Sequence, residues 1–145
     1  MNGRSTGTPP PLYFEDLELG ARRELQGPTV TESEIIEFGK RFDPEPFHID
    51  PIEAEQTHFG GLVASGAHTF ALWRRMGFES QGNAGWQVLA GAGFEDMRLH
   101  APVRPGDTLS LQAELIEKIP SRSKPDRAII KNRERVVNQR GETVM

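Results

Sequence analysis

The sequence predicts an α+β fold in which an antiparallel β-sheet wraps around one long central helix. Three observations carry this reading. The stretch Leu62–Met76, LVASGAHTFALWRRM, places apolar side chains on more than one face, as a buried helix does. Further on, Leu109, Leu111, Ala113 and Leu115 alternate with Ser110, Gln112 and Glu114, the period of a half-buried strand. The elements follow the order strand, helices, one buried helix, then a meander. A single helix cannot cover both faces of a sheet, so a sheet that wraps the helix is the economical packing.

Composition narrows the class. The chain has 145 residues, the size of one domain. Only 36% are hydrophobic, low for a self-sufficient globule. A homodimer or higher homo-oligomer, in which a second copy completes the core, is the expectation. There is no cysteine, which excludes disulfides, thiolate nucleophiles, iron–sulfur clusters and cysteine-containing zinc sites. The net charge of -4 provides no electrostatic basis for nucleic-acid binding. No apolar run approaches the ~20 residues of a membrane span, and the N-terminus lacks a signal-peptide core. A cytoplasmic protein with no membrane and no nucleic-acid partner is expected.

Residues 1–11, MNGRSTGTPPP, read as a disordered tail, and residues 12–145 as one domain. Order begins at Leu12-Tyr13-Phe14. Arg22–Val30 is a candidate strand. Thr31-Glu32-Ser33-Glu34 is a capping box, and the helix it starts stops near Phe42, because Pro44 forces Asp43 out of helical geometry. Asp50 and Pro51 open a second helix that runs to about His58 and ends at Gly60-Gly61. In the buried helix, Ser65 is a candidate N-cap and Gly77 the predicted end. Trp86–Leu99, interrupted by Gly91 and Gly93, reads as a bulged strand. Pro102–Asp107 is a turn, Ser121–Asp126 a polar hairpin loop, Arg127–Val137 a strand, and Thr143-Val144-Met145 the start of a last short strand.

The segment Arg41–Pro51 carries the chemistry. Pro44, Pro46 and Pro51 fix φ and push Asp43, Glu45 and Asp50 toward extended backbone. A stiff loop bearing an acid, Asp43, and an imidazole, His48, suits an acid/base pair. From spacing alone, a proline-rich connection with a surface Asp and a packed His is the favoured reading.

Asp43-x-Glu45-Pro46-Phe47-His48, followed by five residues and Ala54, resembles the hydratase-2 motif of the MaoC-like dehydratases and (R)-specific enoyl-CoA hydratases. Phe59–Gly66, Pro102–Thr108 and Val137–Glu142 resemble further stretches of that family, so the likeness spans nearly the whole chain. The resemblance implies a hotdog fold and a lyase that adds or removes water across C2–C3 of an acyl thioester. It implies no cofactor and no metal; the substrate is carried as a coenzyme A or acyl-carrier-protein thioester. His48 would be the general base on a water attacking C3, and Asp43 would orient that water and return a proton to C2. The Gly66 N–H would bind the thioester oxygen, with Ser65 and Ala64 beside it, since the first amides of a helix lack intrahelical partners. Glycine would also permit close approach of the ligand. Glu45 stands where the motif has Asn, and Arg74 where some family hydratases carry Ser.

Two other readings keep the same fold: a thioesterase, and a non-catalytic acyl-thioester-binding subunit. His58, His68 and His100 have no metal-ligand spacing. His68 either lines an acyl channel or is a hydrogen-bonded core histidine, the latter favoured. Arg122-Ser123-Lys124 either meets coenzyme A phosphates or is a solvated hairpin tip.

Overall fold

The computed structural model describes residues 9–145; of the predicted disordered tail, residues 1–8 lie outside that range. Leu12 is already tied down: its N–H donates to the Gly85 carbonyl at 2.7 Å, and it bridges Trp86 in parallel. A short 3₁₀ turn, Phe14–Asp16, leads into β1, Arg22–Thr29.

The capping box forms as predicted. Thr31 Oγ1 accepts the Glu34 N–H at 3.2 Å and the Glu34 carboxylate accepts the Thr31 N–H at 2.8 Å. It opens α1, Glu32–Phe42, which ends just before Asp43. The proline-rich segment is not a continuous extended loop. It folds into two short helices, α2 (Pro46–Ile49) and α3 (Pro51–Glu55), each with proline at a first-turn position where its missing N–H costs nothing. Glu45 and Asp50 are extended as predicted, but Asp43 is not, at φ -157° and ψ 74°. The Asp50 carboxylate caps α3 by accepting the Ile52 and Glu53 N–H groups. That helix stops at Glu55, short of the predicted His58.

The central helix, α4, spans Gly66–Asn83. It starts later than the apolar run suggests, because Leu62–Ala64 is pinned outside the helix. The Val63 N–H donates to the Phe47 carbonyl at 3.0 Å and the Ala64 N–H to the Val103 carbonyl at 2.8 Å. Ser65 then caps the helix, its hydroxyl accepting the Ala67 N–H. Gly77 does not end it. A glycine inside a helix costs only about 1 kcal/mol relative to alanine, and Met76 and Ser80 on either side are buried.

Strands β2 (Thr108–Pro120) and β3 (Ala128–Val137) complete an antiparallel sheet of order β1-β2-β3. Leu109, Leu111, Ala113 and Leu115 are all buried, with the intervening residues half-exposed. Leu111 faces Leu25 of β1 and Val136 of β3 in register. Gly27 of β1 marks where α4 lies closest: a Cβ there would stand within 3 Å of the Met76 side chain.

The expectation for the segment after α4 fails. Trp86–Leu99 is not a strand. Beyond the single Trp86 bridge it is irregular and largely exposed, because no described strand lies beside it to take its backbone hydrogen bonds. It is anchored by side chains: the Phe94 ring packs 5.3 Å from both Phe70 and Trp73. The central helix is also covered on one face only, with Ala67, Ala71, Arg74, Arg75 and Phe78 exposed. The predicted last strand is reduced to a bridge between Thr143 and Val137, with Val144 buried. Among the described residues no helix is long and apolar enough to cross a membrane.

Candidate active site

Asp43 terminates α1 and His48 sits in α2, so the short Pro44-Glu45 connection decides how they meet. Gly39 allows α1 and α2 to touch: a Cβ at that position would lie 2.8 Å from the His48 carbonyl oxygen. The pair comes together with His48 Nε2 3.5 Å from Asp43 Oδ2. The His48 side chain is 8% exposed and that of Asp43 38%, so the imidazole is held in the fold and the carboxylate reaches toward solvent. Phe47 packs edge-on against the imidazole at 4.5 Å and itself contacts Phe59 at 5.1 Å.

The other ring nitrogen fixes the chemistry. His48 Nδ1 lies 2.7 Å from the Val63 carbonyl oxygen, which can only accept. Nδ1 therefore carries a proton, and in the neutral imidazole Nε2 holds its lone pair toward Asp43. A lone pair and a carboxylate oxygen facing each other are two acceptors. One water can join them by donating an O–H to each, which turns its own lone pairs outward.

The helix start is divided among the three residues the resemblance singles out. The Ala64 N–H is already bonded to Val103, and the Ser65 hydroxyl to Ala67, so both are struts. The Gly66 N–H is the first of α4 and has no intrahelical acceptor. The open side of Gly66 is not empty. A Cβ there would stand 2.6 Å from Leu99 Cδ1, so glycine makes room for Leu99.

His68 departs from the hydrogen-bonded core histidine that its sequence position favours. Its ring stacks on Phe38 at 4.6 Å and 6°, and its Nδ1 is buried without a partner. Burial holds the imidazole below its ordinary range, against the opposing pull of Glu34. Phe38 continues to Phe42 at 4.9 Å, so an aromatic stack links α4 to the helix end that bears Asp43. His58 packs on Phe59 at 4.0 Å. Arg122, Ser123 and Lys124 form an exposed hairpin tip. Val63 is the contributor that the motif hid, because it acts through a carbonyl, which no side-chain pattern records.

Known proteins resemble this chain in sequence and fold. The MaoC like domain matches residues 17–137. The crystal structure of a MaoC-like dehydratase from Rhodospirillum rubrum is 40% identical, covering 92% of this chain and 90% of that one, with a TM-score of 0.81. An R-hydratase from Pseudomonas aeruginosa is 27% identical over 90% of this chain and 78% of its own, with a TM-score of 0.66. A 3-hydroxybutyryl-CoA dehydratase from Methylorubrum extorquens is 31% identical over 113 residues, 77% of this chain and 68% of that protein. The chain belongs to the MaoC-like dehydratase family and has the hotdog fold that the resemblance implied.

Proposed function

We propose that the protein hydrates trans-2-enoyl thioesters, or dehydrates the corresponding 3-hydroxyacyl thioesters, with Asp43 and His48 as the acid/base pair. The observation that supports this is the Nδ1 bond from His48 to Val63, which assigns Nε2, beside Asp43, as the accepting nitrogen of the neutral ring. In hydration, a water held by both groups attacks C3 as Nε2 removes its proton. The C2–C3 π electrons move toward the carbonyl, and the developing enolate oxygen is met by the Gly66 N–H at the positive end of α4. The proton taken at Nε2 passes through Asp43 to C2, and the thioester carbonyl re-forms. Water is thus added as H at C2 and OH at C3. Dehydration retraces the path.

The acyl group is carried on coenzyme A or acyl carrier protein, and no cofactor is required for these steps. The working unit is a homodimer, supported by the one-sided cover of α4 and the exposed apolar side chains of Val88, Leu89, Met97 and Leu99.

The test is crotonyl-CoA hydration, followed by loss of the enoyl absorbance, in Asp43→Asn and His48→Gln. Each substitution is expected to lower turnover by about 10²–10⁴-fold, the range for a positioned acid or base. Wild-type turnover in both variants removes the pair from the mechanism. Release of free thiol from saturated acyl-CoA, with no hydration, replaces this reading with thioester hydrolysis.

A further inference from the structure

The carbonyl that orients His48 stands two residues beyond a pair of glycines. Gly60 and Gly61 both have positive φ, 63° and 156°, and carry no side chain to restrain them. They separate Phe59 from the Leu62–Ser65 segment, which holds both the Val63 carbonyl and the cap of α4. Two consecutive residues from a distant turn grip the chain on either side of these glycines. The Val103 carbonyl accepts the Ala64 N–H at 2.8 Å, and the Arg104 guanidinium donates to the Phe59 carbonyl at 2.7 Å.

The turn that presents them is itself locked. Asp107, 3% exposed, accepts the Arg104 N–H at 2.9 Å, the Gln139 amide at 3.0 Å and the Arg140 guanidinium at 3.1 Å. Burial alone would raise the Asp107 carboxyl. The Arg104 N–H, the Gln139 amide and the Arg140 charge outweigh it and hold the group below the usual carboxylate range. Asp107 is therefore a fixed anion, and the Arg104 backbone is bonded directly to it.

We propose that Arg104 is a positioning residue for the reaction: with Val103 it braces the Gly60–Gly61 hinge and thereby keeps the Val63 carbonyl on His48 Nδ1. Without the guanidinium only the Phe47 and Val103 bonds hold Val63 and Ala64, the Gly60–Gly61 side of the segment is released, the Nδ1 proton loses its acceptor part of the time, and the ring is then free to place a proton on Nε2. That tautomer cannot accept a proton from water. The role of the brace in turnover rests on the reading of His48 as the base; its effect on the imidazole does not.

The experiment compares Arg104→Met and Arg104→Lys with wild type in two readouts. One is kcat and KM for enoyl-CoA hydration. The other is the tautomer of the His48 ring by long-range ¹H–¹⁵N NMR, its resonance assigned by its absence in His48→Gln. Arg104→Met is expected to lower kcat by about 10²-fold with little change in KM, and to turn a ring protonated on Nδ1 into a mixture. Arg104→Lys, which still donates to the Phe59 carbonyl, is expected to recover most of both effects. An unchanged tautomer and an unchanged kcat in folded Arg104→Met overturn the proposal. Should that variant fail to fold, Asp107→Asn, which loosens the same turn but keeps the guanidinium, decides by the same NMR readout, and an unchanged tautomer there overturns it too. Failure of wild type to hydrate any enoyl thioester strikes only the catalytic reading, because the NMR comparison still answers for the brace.

Discussion

His68 illustrates how a single buried side chain sets a pH response. Its imidazole is stacked on Phe38 with Nδ1 unpartnered, and burial depresses its affinity for protons in the folded chain. A depressed value means that the unfolded chain binds the proton more readily. The stability associated with a neutral His68 is thus intact above the ordinary imidazole value of 6.5 and declines as pH falls below it. His68→Phe keeps a ring against Phe38 and removes the titration. Thermal melts at pH 7.5 and pH 5.5 are expected to show a smaller loss in this variant than in wild type. Equal losses would mean that His68 does not titrate with unfolding. Asp43 and His48 were legible as a pair because they meet through side chains at motif spacing. Val63 and Arg104 were not, because one acts through a carbonyl and the other on a carbonyl 45 residues away in sequence.

At the scale of elements, the boundaries that could be read from the chain are those made locally. The Thr31/Glu34 box and the Leu109–Leu115 alternation each need only their own neighbours, and both appear as predicted. The start of α4 is different. Phe47 and Val103 hold Val63 and Ala64 in place from outside the segment, so an apolar run that looks helical from Leu62 begins only at Gly66. The segment Trp86–Leu99 fails for a related reason: strand character needs a paired neighbour, and its β-like composition alone cannot supply one. That segment nonetheless contacts the first turn of α4 through Leu99. Gly66→Ala places its new methyl 2.6 Å from Leu99 Cδ1, the free end of a flexible side chain that is 57% exposed, so Leu99 is expected to swing aside and leave stability within about 1 kcal/mol of wild type in urea unfolding. A larger loss that Leu99→Ala restores would show that Leu99 is held in place.

Taken whole, the chain leaves apolar surface that a monomer has little reason to expose. Leu89 is 75% exposed and Phe94, Met97 and Leu99 more than half. They fall together in a stretch that also lacks a strand partner. A second copy pairing along this stretch would satisfy the backbone and cover the side chains at once. Sedimentation equilibrium at micromolar concentration is expected to give twice the chain mass, and Leu89→Asp to shift the protein toward monomer. A wild-type monomer at those concentrations would refute the dimer and require the low hydrophobic content to be explained within one chain.

One consequence of the Val63–Gly66 segment reaches beyond the site. The carbonyl that orients the imidazole and the amide proposed to meet the thioester oxygen are three residues apart on a single stretch of chain. Their spacing is therefore set by covalent geometry and a few peptide torsions, while the relative position of sheet and helices matters far less. If the sheet shifts against α4 by a few tenths of an ångström, the carbonyl that holds His48 and the proposed oxyanion donor travel as one. Mutations that resize the sheet face should then alter how well the protein folds well before they alter how it reacts.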